Sequence, residues 1–254
     1  MKIKIHQSFI FLLIISILTG LFYKIIVLLI IISLHELGHI YFLQKYQREV
    51  DKITLLPIGA IINYKNDTNT FLYQELLIAI AGILVNILLL IIFKIFKINN
   101  DFYYFNLYIL LFNILPIYPL DGGRIIEILL CKIFKFKKVI KFNSYLSLFF
   151  LFIIIIYSLI INLNLNLIII SIFLIIQNVL QIKYLETRYY LFLLNKYLYP
   201  NKKLKEKQIK KIDITLIKSF YKGVNNYIKG KKKITEEIIL NKEFINTNSI
   251  YNKY

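Results

Sequence analysis

The chain has 254 residues, of which 58% are hydrophobic, with a formal net charge of +18 and a mean hydropathy of +0.66. So apolar a composition excludes an ordinary soluble domain and predicts a membrane protein. The lysines concentrate after residue 182 and in short gaps between apolar runs, a pattern typical of cytoplasmic loops and tails, so we expect no nucleic-acid partner. The single cysteine, Cys131, excludes an internal disulfide.

Six apolar runs are candidate membrane spans, because about 20 apolar residues cross about 30 Å of hydrocarbon. The first run begins like a signal peptide, but no A-x-A-like cleavage site follows, so we expect it to be retained. The sequence predicts an all-α polytopic membrane protein with six transmembrane helices. They run from about Ser8 to Phe22, Lys24 to Gln44, Leu72 to Phe96, Phe102 to Tyr118, Ser144 to Ile161 and Leu163 to Ile182.

The gap after the second span contains "DKITLLPIGAIINYK", a β-branched run interrupted by Pro57 and Gly59. It is too short to cross a membrane as a helix. We expect a short membrane-associated hairpin, either extended or re-entrant, whose backbone must be covered by protein if it lies at membrane depth.

The distribution of lysines predicts the orientation, because cytoplasmic loops are enriched in Lys and Arg. The N-terminus, the gaps after spans two and four and the tail are the basic regions, so both termini are expected in the cytoplasm. Spans two and four then both run inward, and His39 and Asp121, near their ends, are expected at a similar depth close to the cytoplasmic face.

The chain divides at residue 185 into a six-span domain, residues 1–185, and a basic cytoplasmic tail, residues 186–254. The tail alternates basic runs such as "KEKQIKK" with apolar pieces such as "ITEEIIL". This pattern is consistent with a small α+β module or with a partly ordered basic arm near anionic lipid.

The motif "HELGH" supplies the chemistry of the second span. Positions i and i+4 share one face of a helix, so His35 and His39 can bind one metal ion while Glu36 points about 100° away. This is the H-E-x-x-H pattern in which two histidines bind zinc and the glutamate is a general base. Such a zinc site requires a third protein ligand and keeps one open position.

The best candidate for the third ligand is Asp121, within "NILPIYPLDGGR". Pro116 and Pro119 remove backbone donors, and Gly122 and Gly123 allow close backbone approach, so a helix is not expected to continue through this segment. The broken segment can bring the carboxylate of Asp121 beside the second span.

The cost of burying charge argues against a chance motif. A carboxylate near the centre of a membrane helix costs about 2.5–3.5 kcal/mol on insertion scales, so Glu36 marks a functional site by default. Two asparagines, Asn86 and Asn113, are candidates for contacts with substrate or with a developing oxyanion, or for hydrogen bonds between helices.

The pairing of "HELGH" with "NILPIYPLDGG" resembles the site-2 protease family of intramembrane zinc metalloproteases, peptidase family M50, and within it the stage IV sporulation protein FB group. "LLPIGA" is similar to the family's L-P-x-G element, and "AGILVN" to its A-G-P-x-x-N motif, with Ile83 in place of proline. The likeness covers about residues 1 to 185. Substrate must be presented as an extended strand, and the "LLPIGAII" segment is a candidate edge for pairing with it, so we take Pro57 and Gly59, with Asn86 and Asn113, as candidate contacts with substrate or the transition state.

The resemblance also implies a mechanism and partners. It assigns one Zn²⁺ per chain to His35, His39 and Asp121, and the activation of water to Glu36. It implies a membrane-associated pro-sigma factor as substrate, cut near its N-terminus, and inhibitory membrane partner proteins, in the mother-cell membrane around a forespore. The tail is similar to a shortened CBS-like module.

One alternative belongs to a different class: a non-catalytic membrane binding protein, either a pseudo-protease or a metal transporter. A transporter is expected to place metal-ligating side chains along a path, and a pseudo-protease tolerates the loss of Glu36 or Asp121. Here the polar residues converge at one depth and both acids are present, which favours catalysis.

Overall fold

A computed structural model describes residues 2–5, 14, 16–48, 50–56, 59–64, 70–98, 100–160, 164–209, 220–229 and 233–241 of the chain. Within these ranges, four helices are long and apolar enough to cross a membrane. They are α1 (Phe22–Lys45), α2 (Leu72–Ile95), α5 (Phe136–Ile160) and α6 (Leu165–Lys183). The shorter helices include α3 (Asn100–Ile114), α4 (Asp121–Cys131) and α7 (Leu185–Leu198).

The multi-pass, mainly helical architecture agrees with the prediction, whereas the number of six spans stays a prediction. Most of the predicted first span lies outside the described residues, which include helix at 14 and 16–18. The predicted fourth span corresponds to α3, which ends at Ile114, just before the two prolines that cannot donate helical hydrogen bonds.

The fifth helix begins earlier than the sequence predicted. The predicted start was Ser144, but α5 begins at Phe136 and includes Lys137, Lys138 and Lys141. The predicted boundary followed the charge, yet lysine is a good helix former whose long side chain can carry its ammonium group away from an apolar surface.

The predicted hairpin is present as two antiparallel strands, β2 (Val50–Leu56) and β3 (Gly59–Tyr64). Gly59 is the first residue of β3, and Pro57 lies outside the described residues. The sequence analysis did not predict β1 (Lys2–Ile5), which pairs in parallel with β2 and gives the strand order β1-β2-β3.

The chain forms two compact units. The first comprises residues 1–65, 76–115 and 120–122, and in it α1 packs against α3 and β3. The second comprises residues 66–75, 116–119 and 123–254, and in it α5, α6 and α7 pack against one another.

The apolar core of the second unit joins the start of α5 to α7 and the tail. Phe136, Phe192 and Phe220 are at most 2% exposed and belong to one cluster of buried side chains. The other members are Cys131, Val139, Ile140, Leu185, Tyr189, Leu193, Ile209, Ile228, Ile239 and Leu240. Burial raises the pKa of the Cys131 thiol well above its usual value, so we interpret this cysteine as a packing residue.

The described part of the tail is an α+β structure. Strands β4 (Glu206–Ile209), β5 (Asn225–Lys229) and β6 (Lys233–Thr235) form a sheet in that order, parallel between β4 and β5 and antiparallel between β5 and β6. A short helix follows at residues 236–241. These elements favour the predicted module over an unstructured basic arm, while its likeness to CBS modules stays a prediction.

A buried ion pair ties the tail to the first turn of α2. The Lys222 ammonium donates to Glu75 Oε2 over 2.6 Å, and Thr70 Oγ1 donates to Glu75 Oε1, also over 2.6 Å. Glu75 is 3% exposed and Lys222 is 8% exposed. Removing one partner of such a pair leaves the other charge buried without compensation.

We therefore predict that Lys222→Met lowers the free energy of unfolding by about 3–5 kcal/mol. The matched control is Glu186→Gln, because Glu186 forms an ion pair with Lys137 while its side chain is 73% exposed. Pairs of that kind contribute about 0–1 kcal/mol. Unfolding of the purified protein in mixed micelles measures both, and equal losses for the two variants would contradict the prediction.

Candidate metal centre

One face of α1 carries the two histidines. The buried residues of this helix are Val27, Ile31, His35, Gly38, His39 and Leu43, which recur every three or four residues apart from the adjacent pair Gly38 and His39. This is the spacing of a single helical stripe. The apolar residues pack this stripe against the rest of the unit, and the two histidines lie on the same stripe. Both imidazoles are therefore on the buried side of the helix.

Small residues allow α1 and α2 to approach closely at this stripe. A Cβ atom added to Gly38 would lie 2.9 Å from the carbonyl oxygen of Ala81, and one added to Gly82 would lie 2.4 Å from His39 Nε2. Glycines of this kind are typical of packed helices in membranes. Both imidazoles therefore lie directly against the backbone of α2.

Asp121 is the first residue of α4, just after the break that follows α3. The helix does not continue through the predicted break, and Gly122 and Gly123 lie in the first turn of the new helix, α4, that begins after it. A Cβ added to Gly122 would lie 2.2 Å from the carbonyl oxygen of Ile114. The glycines therefore act by allowing α4 to begin immediately against the end of the previous helix.

Three potential ligand atoms converge in the first unit. Asp121 Oδ2 lies 3.1 Å from His35 Nε2 and 3.3 Å from His39 Nε2, and the two Nε2 atoms are 3.1 Å apart. His35 is 5% exposed and His39 8% exposed.

The hydrogen bond of His39 indicates which of its nitrogens faces the cluster as a lone pair. His39 Nδ1 lies 2.7 Å from the carbonyl oxygen of Ile78, which can only accept, so Nδ1 carries the proton. In the neutral ring Nε2 is then an acceptor. A backbone carbonyl that orients an imidazole in this way is a recurrent feature of metal sites.

This donor set fits a zinc ion. Tetrahedral zinc with ligands at about 2.0–2.2 Å requires ligand atoms about 3.3 Å apart, close to the separations observed here. Asp121 Oδ2 is buried and has no hydrogen-bond partner among the described residues, as expected for an atom that faces a cation. The assignment of His35, His39 and Asp121 as metal ligands nevertheless stays a prediction.

The other predicted site residues are not among the three converging ligand atoms. Glu36 follows His35 in α1 and is half-buried. Asn113 Nδ2 donates to the carbonyl oxygen of Ile109 in its own helix. The side chain of Asn86 is fully buried, and neither of its polar atoms has a hydrogen-bond partner within the described ranges.

Two contacts at the centre were missed by the sequence reasoning. The "AGILVN" motif directed attention to Asn86, whereas Gly82 of the same motif is the residue that touches both imidazoles. A glycine inside an apolar helix costs stability relative to alanine, and this cost was the available signal. The carbonyl of Ile78 carries no such signal, because every residue has a backbone carbonyl.

The fold shows a multi-pass membrane protein, and the convergence of His35, His39 and Asp121 gives it a candidate metal centre built on an H-E-x-x-H motif. A sequence profile described as peptidase family M50 matches residues 23–100 and 97–157, more than half of the chain. The chain belongs to this family, which confirms the resemblance inferred from its motifs.

Two curated relatives support the same assignment. The chain is 32% identical over 158 residues to stage IV sporulation protein FB of Bacillus subtilis (strain 168), covering 59% of this chain and 55% of that protein. It is 36% identical over 157 residues to a zinc metalloprotease of Methanocaldococcus jannaschii, covering 55% of this chain and 45% of that protein. The chain thus spans about half the length of the curated relatives it matches.

A solved structure extends the likeness to three dimensions. The site-2 protease from Methanocaldococcus jannaschii superposes with a TM-score of 0.55 at 31% sequence identity. The match covers 70% of this chain and 89% of that structure.

The contact of Gly82 with the imidazoles leads to a prediction. Gly82→Ala is expected to displace His35 and His39 and to weaken zinc binding at least about tenfold, comparable to the loss of a residue that orients a ligand. Competition with a chromophoric chelator measures the affinity. The matched control is Leu84→Ala on the same helix, because Leu84 is 50% exposed. Unchanged affinity in Gly82→Ala would show that the ligands do not depend on this contact.

Proposed function

We propose that this chain is an intramembrane zinc metalloprotease that hydrolyses a peptide bond of a membrane-associated substrate near the cytoplasmic face. The observation that carries the proposal is the convergence of His35 Nε2, His39 Nε2 and Asp121 Oδ2, all within 4.8 Å of one another, beside the glutamate of an H-E-x-x-H motif. Membership of peptidase family M50 supports it.

The three converging residues would hold one zinc ion. When bound, zinc supplies a Lewis acid that polarises a carbonyl group and lowers the pKa of water toward about 7. The carbonyl of Ile78 keeps the proton of His39 on Nδ1 and leaves Nε2 available as a ligand. Asp121 contributes the negative charge that offsets part of the charge of the ion.

Glu36 would be the general base and then the general acid. Its carboxylate accepts a proton from the attacking water and passes it to the nitrogen of the leaving amine as the peptide bond breaks. Glu36 is half-buried while both histidines are buried, which supports a division between residues that hold the metal and a residue that meets water.

The substrate would be presented as an extended strand. A helix hides its carbonyl groups in i to i+4 hydrogen bonds, so it must unwind before hydrolysis. Strand β3 pairs with β2 on one side and packs against α1, and it is an edge strand in the described sheet. An edge strand offers unpaired backbone groups to an incoming peptide. This arrangement supports substrate contacts along the segment that contains Pro57 and Gly59.

Two asparagines, the buried Asn86 and the half-buried Asn113, are proposed to assist. The side-chain amide of Asn86 has no hydrogen-bond partner within the described ranges, and a buried amide without a partner is costly. This cost supports a role for Asn86 in bonding to substrate. Asn113 would have to exchange its bond to the Ile109 carbonyl for a bond to substrate.

The identity of the substrate is a finer proposal. The likeness to stage IV sporulation protein FB supports a membrane-associated pro-sigma factor as substrate, inhibitory membrane proteins as partners and the mother-cell membrane around a forespore as location. The pairing of β1 with β2 supports an N-terminus on the same side as the hairpin, and the lysine distribution favours the cytoplasm for both termini.

The alternative of a metal transporter receives less support. Transporters are expected to line a path with several ionisable groups. Within the described residues, one group of three metal-ligating side chains is present.

The role of Glu36 gives a direct test. We predict that Glu36→Gln retains about one zinc per chain but loses about 10²–10⁴-fold in the rate of peptide hydrolysis, because glutamine cannot accept the proton. The rate is measured on a membrane-anchored reporter, and bound zinc is counted by atomic absorption. Asp121→Ala is the companion variant and should lose zinc as well as activity. Wild-type turnover by a zinc-loaded Glu36→Gln variant would contradict the role of Glu36 as general base.

A further inference from the structure

The segment between α3 and α4, residues 115–120, lies outside both helices, so its backbone groups are not bonded in a regular helical pattern. Pro116 and Pro119 interrupt it and cannot donate. Tyr118, between them, has both of its backbone groups bonded to side chains. Its N–H donates to Ser147 Oγ over 2.9 Å, and its carbonyl oxygen accepts from Asn178 Nδ2 over 2.7 Å.

A third side chain holds the backbone on the other side of Asp121, in the first turn of α4. Asn143 Nδ2 donates to the carbonyl oxygen of Gly123 over 3.1 Å. Asn143 also supports Ser147, because the Ser147 hydroxyl donates to the Asn143 carbonyl over 2.7 Å and so turns a lone pair toward Tyr118. The three side chains therefore grip the chain at Tyr118 and Gly123, on both sides of Asp121.

These three side chains lie inside apolar spans. Asn143 and Ser147 belong to α5 and Asn178 to α6, and each is 0% exposed. An amide buried in a membrane helix is costly unless it has a partner. Asn178 Nδ2 also bonds to the carbonyl of Leu174 in its own helix, so both of its amide hydrogens are used.

A neighbouring serine shows that burial of a hydroxyl does not by itself imply such a role. Ser144 is also 0% exposed and donates to the carbonyl of Ile140, one turn back in α5. Within the described residues its hydroxyl bonds to its own helix and not to the segment before Asp121. Ser144 and Ser147 are therefore a matched pair that differ in the contact with Tyr118.

We infer that Asn143, Ser147 and Asn178 are positioning residues for Asp121, which hold its backbone so that the carboxylate stays beside the two imidazoles. The inference rests on the proposed function, because it assigns these residues to the metal site of that protease. Their hydrogen bonds run to the backbone on both sides of Asp121, so they act through the segment that carries the third ligand. Side chains that orient a ligand typically contribute a factor of about 10–100 to metal affinity.

The test uses the full-length protein purified in detergent, with zinc alone as the ligand in competition with a chromophoric chelator. Ser147→Ala and Asn178→Leu are expected to raise the Kd for zinc about 10–100-fold. Ser144→Ala should stay within about twofold of the wild type. Cobalt substitution adds a spectroscopic readout, since displacement of a carboxylate ligand changes the visible absorption of Co²⁺.

Thermal unfolding of the metal-free variants separates positioning from general stability. Ser147→Ala and Ser144→Ala remove the same group from the same helix, so a positioning role predicts different zinc affinities at similar stability. Asn178→Leu lies on another helix, so a folding defect in either variant leaves the other as a test.

The outcomes distinguish the inference from the proposed function. Wild-type affinity and an unchanged cobalt spectrum in both Ser147→Ala and Asn178→Leu would overturn the positioning role while leaving the protease intact. Equal losses of affinity in Ser147→Ala and Ser144→Ala would overturn it too. A wild-type protein that is folded but binds no zinc would remove the proposed function, and the inference with it.

Discussion

Backbone groups that leave a helix inside a membrane protein must find partners in the protein, because hydrocarbon offers none. The chain breaks its helical path between α3 and α4 at two prolines, immediately before Asp121. The freed N–H and C=O groups of Tyr118 bond to a serine and an asparagine of two membrane-spanning helices. The need to bond these buried backbone groups thus fixes the chain three residues before Asp121, the candidate third ligand.

Close packing is the second condition for the site. The imidazoles of α1 lie directly against α2 because Gly38 and Gly82 lack side chains at the contact. The approach also brings the Ile78 carbonyl within 2.7 Å of His39 Nδ1, which selects the tautomer able to bind a metal. A bulkier residue at Gly82 would separate the rings from the helix whose carbonyl orients one of them.

Local sequence signals predicted the parts of this protein that are local in the chain. The "HELGH" helix, the break before Asp121 and the hairpin around Gly59 follow from periodicity, proline and the length of an apolar run. The extra strand β1 was not predictable, because its pairing with β2 joins segments that are far apart in sequence. The ion pair of Glu75 with Lys222 and the hydrogen bond of Ser147 to the Tyr118 N–H were not predicted for the same reason. The start of α5 at Phe136 was missed because lysines signal a membrane boundary without ending a helix.

The distribution of burial at the centre constrains how a peptide can reach it. Both histidines are buried, whereas Glu36, on the adjacent side of the same helical turn, is half-buried. A peptide bond that reacts here must reach the ligands and Glu36 together, so it has to approach from the more open side of α1. Strand β3 also packs against α1 and has a free edge within the described sheet. A substrate paired with that edge would be extended, with its carbonyl groups released from helical hydrogen bonds, which is the state that hydrolysis requires.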